Sequence, residues 1–287
     1  MKRFKTPRAF LYQAHGFAIS GMITKPFQDF IPTQASATLP TTGGLAEAEQ
    51  TDYRYKDIVS FKRAYTRITG MPANGSSNVH ETDMKVIIEG LNIRDRFTAE
   101  KVVTHIRCKH TLGEFGKENK DRSEIIPVES DISGVKIDGR PVNVTLDKKF
   151  FHEFPNYARL REAYKKGPFR KHVQQKFHWV PEKPKAKVPD CVLTRYKWAE
   201  RLNKKLPEHG HILCTLVDKI EGDNLDGRVF GNVIVLPDFG TIFLGDYFID
   251  RHSTRLEMVR VELDGPVKGM VCDGGGGGGN GYPPAGT

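Results

Sequence analysis

The stretch ISGVKIDGRPVNVTL, residues 132–146, admits one local fold. Val135 and Ile137 alternate with polar residues before Asp138-Gly139, and Val142, Val144 and Leu146 alternate after it. A period of two belongs to a strand with one buried face. Asp-Gly between two such runs suits a two-residue type I′ turn, because both central positions require positive φ. The sequence therefore predicts a hairpin, with Pro141, which has no amide hydrogen to donate, facing an edge.

The same kind of pattern recurs along most of the chain. AFLYQAHGFAISGMI and YKDIVSFKRAYTRITG are rich in β-branched and aromatic residues, and IPTQASATLPTTGG between them is turn-like. VHETDMKVIIEGLNI and FTAEKVVTHIRCKH form a second pair of strands, while 71–78 and 111–124 read as loops. From His211 the strands resume as a meander, divided by turns at Pro237–Gly240 and Asp250–Thr254. The expected fold is all-β, an antiparallel sandwich or barrel-like body. Residues 1–146 form its first part and 207–272 its completing meander.

Residues 147–206 depart from this pattern and read as a basic helical insertion. Asp147 suits an N-cap, Tyr157, Leu160, Ala163 and Tyr164 have helical spacing, and Gly167-Pro168 ends the helix. Prolines 181, 184 and 189 impose an extended path before a second short helix in LTRYKWAERLNKKL. The whole chain carries a net charge of +9, and nine lysines and arginines against two glutamates fall between Arg161 and Lys187. Tyr164, Phe169, Phe177 and Trp179 interleave with these cations. Two partners fit such a segment: an acidic protein surface, including a patch on a neighbouring subunit, or a polyanion such as nucleic acid. No RNP, KH or helix-turn-helix pattern accompanies it. Lys165, Lys166, Arg170, Lys171, Lys176 and Trp179 are the candidate contact residues.

Composition bounds the function classes. With 10% aromatic residues over 287 positions the chain can bury a substantial core. Its longest apolar run is far short of the roughly 20 residues of a membrane helix. Cys108, Cys191, Cys214 and Cys272 are too sparse for a disulfide framework or a CxxC metal site, so free and mostly buried thiols are expected. The N-terminal MKRFKTPRAFLYQAHGFAISGM reads as a first strand rather than a leader. That places the protein in the cytoplasm, or at the surface by a signal-independent route.

Chemical motifs reduce to structural readings. Asp238-Phe239-Gly240 lacks every other kinase element and reads as a β-turn. His152-Glu153 lacks the second histidine of a zinc helix, His209 and His211 need partners from elsewhere, and the Asp223–Gly227 run lacks the closing glutamate of a calcium loop. No G-x-S-x-G elbow occurs, and carboxylate pairs such as Glu129/Asp131 and Asp246/Asp250 are ordinary near turns. No catalytic, cofactor-binding or metal-binding residue is expected, and no enzyme activity.

TAEKVVTHIR, SGVKIDGRPVNV, VLPDFGTIFLGDYFI and LEMVRVEL, in this order, resemble the pattern of bacterial β-proteins grouped as the choice-of-anchor P family. PFQDFIPTQASATLP and LAEAEQTDYRYKDIVSF are similar to the N-terminal stretch of uncharacterised bacterial proteins. The resemblance implies a β-domain used at or near the cell surface, without established chemistry.

The chain ends VCDGGGGGGNGYPPAGT, and residues 273–287 read as a glycine-rich tail. Six consecutive glycines resist ordering because glycine loses the most entropy. Tyr282, Pro283 and Pro284 are its sticky elements and candidate contacts with a partner. The expected protein is a non-enzymatic structural or self-assembling β-domain, a homo-oligomer suited to a filament, shell or surface layer. The alternatives are a nucleic-acid or polyanion binder, and an enzyme acting on a glycan.

Overall fold

The computed structural model describes residues 10–75, 78–111, 124–167, 190, 192–194, 212–223, 225, 228–249 and 253–278. The chain lays down β1 (Ala14–Lys25), β2 (Asp29–Gln34), β3 (Ala37–Thr38), β4 (Gly44–Tyr55) and β5 (Val59–Pro72). Two long strands follow, β6 (Val79–Ile93) and β7 (Phe97–Thr111), then β8 (Glu124–Pro127), β9 (Asp131–Ser133), β10 (Lys136–Ile137) and β11 (Arg140–Leu146). Two helices, α1 (Lys148–Glu153) and α2 (Tyr157–Lys166), precede β12 (Ile212–Thr215) and β13 (Val217–Gly222). The last strands are β14 (Val229–Phe230), β15 (Val233–Leu236), β16 (Gly240–Ile249), β17 (Ser253–Asp264) and β18 (Lys268–Gly278).

These strands form two nine-stranded antiparallel sheets packed as a sandwich. Sheet I runs β14-β15-β16-β17-β18-β1-β2, with β12 also on β16 and β3 on β1. Sheet II runs β13-β11-β10-β7-β6-β5-β4, with β8 and β9 also on β7. Alternation decides the faces. Ile23, Ile31 and Val271 of sheet I and Met84, Val86 and Ile88 of sheet II are all buried between the layers. The expected all-β body is thus a sandwich.

The predicted hairpin is present. Ile137 pairs with Arg140, and Asp138 and Gly139 take φ of 51° and 77°. Pairing of β11 with β13 starts at Val142, so Pro141 does face an unpaired edge. Arg96 locks the turn: its guanidinium grips both Asp138 carboxylate oxygens at 2.6 and 3.0 Å and donates to the Pro237 carbonyl of sheet I at 2.8 Å. Asp238-Phe239-Gly240 is the β15–β16 turn, with Phe239 fully buried beneath it.

The insertion begins differently from the expected single helix. Asp147 caps α1, accepting from the Phe150 amide, but Pro155 breaks the chain and Asn156 caps α2 anew by accepting from Arg159. The residue before a proline is steered away from helical geometry, and Phe154 sits at φ −124° and ψ 63°. Gly167 ends α2 in the left-handed region. This part packs onto the sandwich. Phe151, Leu160, Ala163 and Tyr164 belong to the main core, and the Phe151 ring meets Tyr247 edge-on at 5.1 Å. Farther along, Val192 packs with Val233 and Phe243 on the outer face of sheet I.

The largest correction concerns the glycines. Asp273–Gly278 is no tail but the second half of β18, hydrogen-bonded between β1 and β17. Neighbouring strands supply what glycine lacks. Phe17 pairs with Gly274 and His15 with Gly276, and a Cβ at Gly274 would lie 2.5 Å from the Phe17 ring. On the inner side a Cβ at Gly275 would come within 2.7 Å of Met84 and 2.8 Å of Thr104, so the glycine lets sheet II approach. Both flanking strands bulge opposite Asp273, between Phe17 and Ser20 and between Leu256 and Arg260. The Asp273 carboxylate stitches the second bulge by accepting from the Val259 amide at 2.7 Å, and it reaches across the sandwich to accept from Thr104 Oγ1 at 3.0 Å. Burial pushes this carboxyl up to about 7, against the lowering effect of those hydrogen bonds.

Candidate interaction surface

Among the described residues, two outward faces carry chemistry available to a partner. On sheet I the register sets Met22 opposite Phe30 of β2 and opposite Met270 of β18. Cross-strand partners share a face, and since Ile23, Ile31 and Val271 point inward, this row points out. Phe30 is 67% exposed, Met22 38% and Met270 39%. Phe27 lies nearby in sequence with its ring under Lys56 Nζ at 3.5 Å. Asp29 fixes this corner, accepting from the Tyr55 hydroxyl at 2.5 Å and from Lys56 at 3.2 Å. The Tyr55 hydrogen bond, ahead of the Lys56 one, lowers the Asp29 carboxyl below its ordinary value.

Beside the row lies a groove of about 840 Å³. Met22, Val235 and Met270 belong to its apolar part, and Asp190, Glu262, Asp264 and Lys268 line it as well. Lys268 Nζ bonds Asp264 at 2.6 Å, and the Arg260 guanidinium pairs with Glu262. Arg260 also meets the buried Asp246 at 3.2 Å and stacks over Phe243 at 3.9 Å. Asn232 donates to the other Asp246 oxygen at 2.7 Å.

The outer face of sheet II is a lattice of ion pairs. Arg63 bonds Glu49 at 2.6 Å, Arg67 lies 3.5 Å from Glu47, and Lys85 bonds Glu129 at 3.2 Å. At its centre His105 Nε2 lies 3.0 Å from both oxygens of Asp83, and His105 Nδ1 is 3.6 Å from Glu129. Burial acts to raise the Asp83 carboxyl, but hydrogen bonds from His105 and Arg107 outweigh it and hold it below its ordinary value. This carboxylate–histidine pair resembles half of a nucleophile-activating relay. The neighbouring hydroxyl is otherwise engaged: Ser130 Oγ accepts from the His105 amide at 3.0 Å and donates to its carbonyl at 3.1 Å. The cluster pins the loop between β8 and β9 onto β7.

Of the contact residues expected from sequence, Lys165 sits in the last turn of α2, 3.7 Å from Glu162, and Lys166 is the final residue of that helix. Arg170, Lys171, Lys176 and Trp179 lie outside the described residues, as do Tyr282, Pro283, Pro284, His209 and His211. Sequence reasoning missed Met22, Phe30 and Met270. Met22 stands next to Ile23 and Met270 next to Val271, so neither marks which neighbour faces out. Phe30 alternates with Ile31 in the same way beside Pro32, which disguised β2 as a turn region.

Cys108, Cys214 and Cys272 are buried, and the Cys214 thiol donates to the Tyr247 carbonyl at 3.3 Å. Burial lifts the Cys108 and Cys272 thiols to about 12, which leaves them unreactive. Among the described residues no group of three or more His, Cys, Asp or Glu side chains is arranged to hold a metal ion, and no helix is long and apolar enough to cross a membrane.

No curated protein and no solved structure matches the chain. One family model does, over residues 10–250, a span that includes the first sixteen strands and stops before β17 and β18. The chain belongs to the family described as domain of unknown function (DUF8256).

Proposed function

We propose that the protein is a non-enzymatic structural module that works by self-association, as a subunit of a larger assembly. The observation that carries this reading is the exposed row Phe30–Met22–Met270, continuous across three neighbouring strands. Scattered apolar side chains are normal on a surface, but a contiguous exposed group rimmed by polar residues is the mark of a protein contact. Four of the six large hydrophobic residues exposed among the described positions, Met22, Phe27, Phe30 and Met270, belong to this corner. The ion pairs of sheet II satisfy one another and offer no comparable drive. The bacterial surface role implied by the choice-of-anchor P resemblance is compatible with such a module.

Sedimentation of the purified chain over a wide concentration range tests the reading. Self-association that weakens at least tenfold in Phe30→Ser/Met270→Ser supports it. A monomer at every concentration, or association indifferent to both changes, overturns it.

A further inference from the structure

We infer that the groove on the outer face of sheet I receives the basic segment 168–188, which follows α2, of a second copy of this chain. The inference rests on the self-association proposed above and names its contact. Acid exceeds base around the groove: Asp190, Asp238, Glu262 and Asp264 line it against Lys268. Adding Arg260, which pairs with Glu262 from beside it, still leaves an excess of carboxylates. The floor between these rims is apolar and contains two methionines, Met22 and Met270, whose unbranched side chains adapt to irregular partners.

The complement is in the same chain. Segment 168–188 holds six lysines and arginines against Glu182, with Phe169, Phe177 and Trp179 among them. Lysine and arginine lay apolar stems along a surface while their heads reach a charged rim. Aromatic rings bury the most area where the floor is apolar. Opposite charges also steer encounter and fix register. The chain reaches its own groove at Asp190, while Val192 is seated on Val233 and Phe243 beside it. In the single chain Met22 and Met270 keep 38% and 39% of their surface exposed. A contact in which one surface patch meets a different patch on the next copy is heterologous, and it propagates as a ring or a filament.

The test uses a labelled peptide of residues 168–188 titrated onto the full-length protein, read by fluorescence anisotropy. Binding should weaken steeply with added salt, since exposed charge attraction is screened beyond about 8–10 Å at physiological ionic strength. Asp190→Lys/Asp264→Lys changes two exposed positions. It should reduce affinity at least tenfold while leaving the melting temperature within a few degrees. A peptide with its lysines and arginines replaced by glutamate should bind that variant better than it binds the native protein. Met270→Ser should weaken native peptide binding without changing its salt dependence. Affinity unchanged in both variants overturns the inference. So does binding that emerges only after residues 168–188 are deleted from the protein, because the groove then belongs to its own segment. If self-association persists unaltered in Asp190→Lys/Asp264→Lys but weakens in Phe30→Ser/Met270→Ser, this contact is wrong while the reading of an assembling module stands. A strictly monomeric protein removes that reading first.

Discussion

β6 of sheet II and β18 of sheet I face each other and are built on opposite plans. β6 of sheet II alternates Met84, Val86 and Ile88 inward with Asp83, Lys85 and Ile87 outward, so it carries a side chain on each face at every step. The C-terminal half of β18 in sheet I carries almost none. Its inner surface is filled from across the sandwich by Met84 and Thr104, and its outer surface from the next strand by Phe17 and His15. A strand can therefore be ordered by its neighbours' side chains, provided that its own backbone hydrogen bonds are satisfied on both edges. The same contrast extends to the surfaces. Sheet II neutralises its outer face with its own ion pairs, whereas sheet I leaves an apolar row and an acidic groove.

The sharpest way to break the comparison is Asp273, the one ionisable residue of the glycine half. Its folded value of about 7 lies above the ordinary 3.8. The folded state therefore binds a proton that the unfolded chain has lost. Stability from this group is full below pH 4, declines between pH 4 and 7 and is level above, a total of up to about 4 kcal/mol. Asp273→Asn keeps a neutral acceptor for Val259 and should abolish that decline. The difference between native and variant melting curves from pH 4 to 8 measures it. Parallel curves would mean the carboxylate is solvated or ionised in the fold.

Next in size is Gly275→Val, which forces side-chain atoms into the space of Met84 and Thr104. Overpacking of this kind costs about 1–3 kcal/mol, readable as a lower urea midpoint. The matching change on the other plan, Ile87→Val on the outer side of β6, should cost clearly less. Equal costs would erase the distinction between the two strands.

A smaller effect is expected where the sheets are clasped. Arg96→Met removes the two-pronged pair with Asp138 and the bond to Pro237. Arg96 is 30% and Asp138 40% exposed in their side chains, so screening limits the loss to about 1 kcal/mol. It should shrink further in high salt. The smallest change in stability belongs to Phe30→Ser, within about 0.5 kcal/mol, although this substitution should reduce association the most.

Much of the architecture was legible in residues 132–146, 211–249 and 253–264. There the alternation of period two, the Asp138-Gly139 turn and the Pro237–Gly240 turn are all local, and each needs only its own sequence to be recognised. The helix caps Asp147 and Gly167 were legible for the same reason, since capping is a bond to a residue a few positions away. Pro155 is equally local, and it separates α1 from α2.

What only the tertiary structure decided is everything that depends on a partner far along the chain. Composition alone gives Gly274–Gly278 the entropy of a loose end, and nothing nearby opposes it. β1 and β17 oppose it, with Phe17 more than 250 positions away in the sequence. Likewise the pairs Met22–Ile23 and Met270–Val271 are apolar on both sides, so the alternation is silent about which member faces water. Sheet stacking breaks that tie by burying Ile23 and Val271 against the opposite layer. The exposed row and its groove exist because the two sheets close on one face only, and a sequence read strand by strand contains the residues of that face but not the choice.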